Sequence, residues 1–181
     1  MKLGGKVDGI VINHGALEPL KPVADSSIQD WKTLYEINFF SPLALVQAVI
    51  PHLRQTKGRI IFTSSGAATK GYKAWGPYGS SKAALHSLAQ HLAVEEKDIV
   101  SVSLSPGRTD TGMQKLLREQ GKGFMDDKDH AGFVSAFEEG KLNPPEGPGN
   151  VIAKLALDAT PDLSGKFLQY VSSRARARAP S

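Results

Sequence analysis

Tyr78 and Lys82 stand four residues apart in the segment Tyr-Gly-Ser-Ser-Lys. On a helix that spacing puts both side chains on one face, a turn apart. An ammonium beside a phenol favours the phenolate and lowers a pKa that starts at about 10. The pair can then act as a general acid or base near neutral pH. The same spacing also describes many exposed helical pairs that do no chemistry, so its companions in the sequence decide. Ser65, thirteen residues before Tyr78, follows the apolar run Arg59–Thr63, which reads as a strand. Ligands of open α/β sheets bind at the carboxyl ends of the strands, where Ser65 is expected. Asn38 lies forty residues before Tyr78 and four before Pro42. Proline has no N–H, so the carbonyl of Asn38 loses its helical partner. That predicts either a plain kink in a surface helix or a place for a bound water.

The elements that must position these groups alternate between short apolar runs and longer segments of helical period, the pattern of β/α units on a parallel sheet. The first run covers residues 7–13 and is followed by a loop with Pro19 and Pro22. Ser27-Ile-Gln-Asp30 has the form of a capping box. It opens a long helix whose apolar face is Trp31, Leu34, Leu45, Val46, Val49, Ile50 and Leu53, stopped by Gly58. The near-continuous apolar character of Arg59–Thr63 suits a strand covered on both faces. A second helix is expected over about 78–95, with Leu85, Leu88, Ala89 and Leu92 on one side. A strand over 99–104, the turn Ser105-Pro106-Gly107, a polar, glycine-rich stretch over 112–147, a helix over about 151–158 and a strand over 167–171 complete the pattern. Nothing repeats and no linker divides it, so residues 1–173 read as one domain with a basic, disordered tail at 174–181.

Composition narrows the function. The 181 residues are 40% hydrophobic and 22% charged, as in an ordinary soluble domain. Cysteine is absent, which excludes disulfides, thiol catalysis and thiolate metal sites. Together with an N-terminus lacking a hydrophobic signal core and with no unbroken apolar run of about 18 to 20 residues, this points to a cytoplasmic setting and no membrane partner. The net charge of +4 owes three positives to Arg174, Arg176 and Arg178 in the tail. A nucleic-acid surface should cluster its charge on a folded face, so no nucleic acid is expected. The five histidines show no metal-ligand spacing, and no metal is expected. The run Phe62-Thr-Ser-Ser-Gly66 lacks the first glycine of a hydrolase nucleophile elbow. Asp126, Asp127 and Asp129 read as a solvated loop. Met113, Leu116, Leu117 and Phe124 suit a substrate lid or ordinary packing equally.

Asn13-His14-Gly15 closes the first strand, and Pro106-Gly107-Arg108-Thr109-Asp110-Thr111 follows the third. With Asn38, Ser65 and Tyr78-x-x-x-Lys82 in this order, the chain resembles the short-chain dehydrogenase/reductase family over about residues 5–171. Ile12 and His14 depart from that family's Asn-Asn-Ala-Gly motif. The stretches LEP, INFF, WGPYGSSKAAL and KLAL look most like fungal members akin to sepiapterin and benzil reductases.

The resemblance implies an α/β, Rossmann-like, doubly wound parallel sheet lacking its first three β/α units, about 80 to 90 residues at roughly 30 per unit. The glycine-rich turn that cradles pyrophosphate belongs to that portion, so Met1 is expected to be an internal methionine. The implied function is NAD(P)-dependent hydride transfer to or from a carbonyl or alcohol, with NADP favoured. Tyr78 would give the proton, Lys82 would hold the nicotinamide ribose and depress the pKa of Tyr78, and Ser65 would bind the substrate carbonyl. Asn38 would hold a proton-relaying water. Asn13 and Gly15 would lie by the adenosine side, with Pro106, Gly107, Thr109 and Thr111 toward the nicotinamide. Tyr72 and Trp75 are candidates for contact with an apolar or aromatic substrate. The family also implies subunit pairing through helices 28–53 and 78–95, leaving as an alternative a non-catalytic fragment that acts as a dimerisation partner. Without its preceding strand, the run 7–13 is expected to be an apolar edge.

Overall fold

Four parallel strands form one sheet in the order β1-β2-β3-β4: β1 Gly9–Ile12, β2 Arg59–Thr63, β3 Val100–Ser105 and β4 Phe167–Gln169. The computed structural model describes residues 5–171. The basic tail anticipated at 174–181 lies outside them. Parallel neighbours need crossover connections, and helices supply each one. Between β1 and β2 run α1 (Ile28–Tyr35), a π-helical turn (Glu36–Phe40) and α2 (Ser41–Thr56). Helix α3 (Gly76–Glu95) joins β2 to β3, and α4 (Gly112–Gln120), α5 (Asp127–Glu138) and α6 (Glu146–Asp158) precede β4.

The two-residue period of β2 sorts the core into two layers. Ile60 and Phe62 face Val46 and Leu53 of α2 and Leu85, Ala89 and Leu92 of α3, while Ile61 faces Leu155 of α6 alongside Val102 and Leu104. All these residues are buried, as expected of a parallel strand covered on both sides. The capping box is present: Ser27 Oγ accepts from the Asp30 N–H, and the Asp30 carboxylate accepts from the Ser27 N–H. The α2 helix stops differently from the expectation. Lys57, with φ 53°, is the left-handed residue. Gly58 is required for space instead, because a Cβ there would lie 2.7 Å from the Asp8 carbonyl oxygen.

Other differences follow from packing. The stretch 112–147 contains two helices, and Asp126, expected in a solvated loop, is the N-cap of α5, accepting from the Lys128 N–H with Asp127 and Asp129 in the first turn. Leu45, assigned to the apolar face, is exposed, as are Ile37 and Phe40. The continuous helix Ile28–Thr56 is long and apolar enough to cross a membrane by length and composition, although no unbroken apolar run announces it. Its inner side is occupied by the domain itself, with Leu34, Val46 and Leu53 buried. In the described sheet β1 is an edge, and its Val11 is partly open to solvent.

Candidate active site

At the carboxyl ends of the strands lies a cavity of about 650 Å³. Strand ends and the loops after them supply Asn13, Gly15, Ser65, Pro106, Gly107, Thr109 and Thr111, and α3 supplies Tyr78 and Lys82. Tyr72 and Trp75 line it from the loop before α3. The structure thus gathers eleven of the twelve residues that the sequence singles out, and Asn38 sits behind the wall.

Helix α3 begins at Gly76, and Pro77 in its first turn has no N–H to leave unpaired. Tyr78 and Lys82 therefore lie in its opening turns, facing inward and buried. Lys82 Nζ donates to the Thr63 carbonyl at 3.0 Å and lies 5.9 Å from the centroid of the Tyr78 ring. Burial pushes the Lys82 ammonium down to about 8. Burial also pushes the Tyr78 phenol above its ordinary value, and the neighbouring Ser65 hydroxyl pulls it back. The expected depression of Tyr78 by Lys82 does not appear. Desolvation of a phenolate packed among Ala67, Trp75 and Leu117 outweighs an ammonium that points to a backbone carbonyl.

Asn38 is completely buried in the π-helical turn, four residues before Pro42. Its side chain carries the connections. Oδ1 accepts from the Ala16 N–H at 2.8 Å, and Nδ2 donates to the Ala16 carbonyl at 2.8 Å and to Ser81 Oγ at 3.1 Å. Ser81 Oγ in turn donates to the Tyr78 carbonyl at 2.8 Å. Asn38 thereby fixes both the loop after β1 and the helix bearing Tyr78 and Lys82. A Cβ at Gly15 would stand 3.2 Å from both Asn38 Oδ1 and Lys82 Nζ, so the bare backbone there leaves the ammonium accessible.

An ammonium has three donors, and Lys82 spends one on the protein. Among the described residues no Asp or Glu lines the cavity. Polyhydroxyl and anionic groups are therefore met by Lys82, Arg108 and hydroxyls without opposing carboxylates. These residues fit the ribose and nicotinamide end of a dinucleotide.

The opposite wall is aromatic. Trp75 stacks on Tyr72 at 4.7 Å and on Phe133 at 5.7 Å, and meets the Tyr78 ring edge-on at 5.7 Å. Leu117 is buried in this cluster with Met113 and Leu116 packed against it, while Phe124 is exposed. Both Met113 and Leu117 also line the cavity, so packing and lining are one role for this pair. The sequence reading missed Phe133, Gln114 and Arg108. The signal for Phe133 was present: Asp126 and the acids after it mark a helix start, and Phe133, Ala136 and Phe137 follow at helical spacing.

A family model described as short chain dehydrogenase matches residues 1–122. The chain is 41% identical over 180 residues to a benzil reductase ((S)-benzoin forming) of Saccharomyces cerevisiae, covering 94% of this chain and 68% of that protein. A crystal structure of a short chain dehydrogenase/reductase from Saccharomyces cerevisiae superposes with a TM-score of 0.91 at 39% identity, covering 99% of this chain and 72% of the other. A Shigella flexneri short chain dehydrogenase solved in complex with NADP gives 0.73 at 26%, covering 91% and 63%. The chain spans 66% to 70% of the length of three curated relatives that it matches.

Proposed function

The chain belongs to the short-chain dehydrogenase family, and from that membership we propose that it acts as an NAD(P)-dependent reductase of aryl-substituted carbonyl compounds. One observation carries this reading: Ser65, Tyr78 and Lys82 line a cavity whose remaining wall includes the Tyr72, Trp75 and Phe133 rings. The likeness to a benzil reductase supports the aryl part, since benzil is a diaryl diketone.

When bound, the nicotinamide supplies hydride. Tyr78 gives its proton to the carbonyl oxygen, and burial keeps the phenol protonated at neutral pH, ready to act as an acid. The Ser65 hydroxyl bonds the same oxygen, so two donors face the developing negative charge. Lys82, charged at neutral pH with its value at about 8, holds the ribose hydroxyls with the N–H groups not given to Thr63. Asn38 offers its main-chain carbonyl, in the turn where the regular helical ladder is broken, to a water that relays protons to Lys82. Asn13 and Gly15 border the adenosine side, and Pro106, Gly107, Thr109 and Thr111 border the nicotinamide. NADP is the favoured form, a choice supported by the Shigella relative's complex.

The same reading places the protein in the cytoplasm as an oligomer, pairing through helices 28–53 and 78–95, where Ile37, Phe40, Leu45 and Val94 are exposed. The relatives are named as oxidoreductases, and none favours the alternative of a non-catalytic partner.

Titrating the purified chain with NADPH and with NADH while following the melting temperature tests the proposal. A ligand at a hundred times its Kd adds about 2.7 kcal/mol to the native state. For a domain of this size that is a rise of roughly 5 to 10 °C. A folded sample whose melting point moves with neither nucleotide overturns the reading for this polypeptide.

A further inference from the structure

We propose that Arg108 is a positioning residue for substrate selectivity: it latches α5 so that Phe133 stacks on Trp75, completing an aromatic wall that favours aryl over alkyl carbonyls. The selectivity half rests on the aryl-carbonyl reading above. The latch itself stands on geometry alone.

Phe133 belongs to α5, whose main packing partner is α4 and not the sheet. Its ring is nonetheless buried and held 5.7 Å from Trp75 at an interplanar angle of 26°. Ties to the framework must supply that precision. Lys70 and Asp129 approach at 3.8 Å, but Lys70 is largely exposed, and such a pair contributes little. Gln114 Nε2 donates to the Phe133 carbonyl at 3.3 Å, but Gln114 sits on α4 and moves with the pair.

Arg108 is different. It follows β3, and its own backbone is fastened: its carbonyl accepts from the Asn143 N–H at 2.8 Å, while Asn143 Nδ2 donates to the Pro106 carbonyl at 3.3 Å. From that base Nη1 donates to the Gly132 carbonyl at 2.8 Å, and the guanidinium lies 4.8 Å from the centroid of the Phe133 ring. One side chain thus grips both the backbone beside Phe133 and the ring itself. Among the described residues Arg108 has no carboxylate partner to draw it elsewhere. A planar guanidinium can stack and donate at once, which an ammonium does less well.

The test compares R108M, F133A and the double variant, with R108K as the conservative rescue. Trp75→Phe identifies the Trp75 band in the near-ultraviolet circular dichroism of the unliganded chain. R108M and F133A should each diminish that band, and the double variant should diminish it no further. Calorimetric titration should show benzil binding weakened about tenfold by either substitution, as loss of one aromatic pair implies. Binding of hexan-3-one, which has neither an aryl ring nor a vicinal dione to react with arginine, should weaken by much less than binding of benzil, and R108K should recover most of the benzil affinity. If R108M does not fold, R108Q is read in the same way. An unaltered Trp75 band in R108M or R108Q overturns the latch, as do losses that add in the double variant. If the band responds as expected and the wild-type chain does not bind benzil, the aryl-carbonyl reading fails and takes the selectivity half with it, while the latch is upheld.

Discussion

Asn38 Nδ2 donates to the Ser81 hydroxyl at 3.1 Å, which ties the π-helical turn of the long helix to the helix that carries Tyr78 and Lys82. The same amide closes two bonds on the backbone of Ala16. Removing it leaves the part-buried N–H and carbonyl of Ala16 without their partner and takes one donor from the Ser81 hydroxyl, all three at once. Asn38→Ala should therefore cost roughly 2 to 4 kcal/mol in urea denaturation, and Ser81→Ala only about 1 kcal/mol. Equal midpoints for Asn38→Ala and wild type would contradict this account of the turn.

Stability should rise with pH above neutrality. Lys82 titrates at about 8 in the folded chain and near its ordinary, higher value when unfolded, so between the two the unfolded state holds more protons. Stability then climbs from pH 8 toward pH 10 as the folded chain sheds the cost of a buried ammonium. The full span is worth about 3 kcal/mol. The buried Tyr78 works the other way above pH 10, because its folded pKa is raised and the unfolded phenol ionises first. Lys82→Met should abolish the climb. Denaturation series at pH 7, 8, 9 and 10 on both proteins measure it.

Tyr78→Phe removes the proposed proton donor without removing the ring. In a form of the protein that turns over substrate, kcat should fall by about 10² to 10⁴ while nucleotide binding persists. Ser65→Ala should lose about 10² and also move the alkaline limb of the pH–rate profile upward, because Ser65 is the group that lowers the Tyr78 pKa. Normal turnover by Tyr78→Phe on a panel of aryl ketones would sink the assignment.

Gly15→Ala places a methyl 3.2 Å from Asn38 Oδ1 and from Lys82 Nζ, and neither is free to retreat. About 1 to 3 kcal/mol should be lost to overpacking. Gly71→Ala, with open space around its Cβ, serves as the control. A thermal melt of both variants checks the contrast.

What the sequence discloses depends on how local the determining physics is. Arg59–Thr63 announces itself because a doubly covered strand leaves an unbroken apolar run, and Ser27 to Asp30 because a capping box is a four-residue device. Tyr78, Lys82 and Ser65 are legible because their spacing survives as a motif. The side-chain role of Asn38 is not, since its partners Ala16 and Ser81 lie 22 and 43 residues away. Nor is the pKa of Tyr78 legible, for burial by Trp75 and Leu117 is a tertiary fact. Helix α5 escaped notice because glycine-rich flanks at 121–123 and 140 masked a well-capped segment.

The all-parallel register has a kinetic consequence. Gly9 pairs with Arg59, Arg59 with Val100 and Ser103 with Phe167, so no two neighbouring strands lie closer than about 40 residues in the chain. Among the described strands no hairpin is available as a starting point, and each ladder must close a long loop before its first bond forms. Assembly should therefore be slow for a domain of this length, with the β2–β3 pair, which closes the shortest loop, gaining its bonds first. The last pair, β3–β4, closes the longest loop for the fewest residues. Transient opening should begin there, and with it the wall that Gln169 contributes to the cavity.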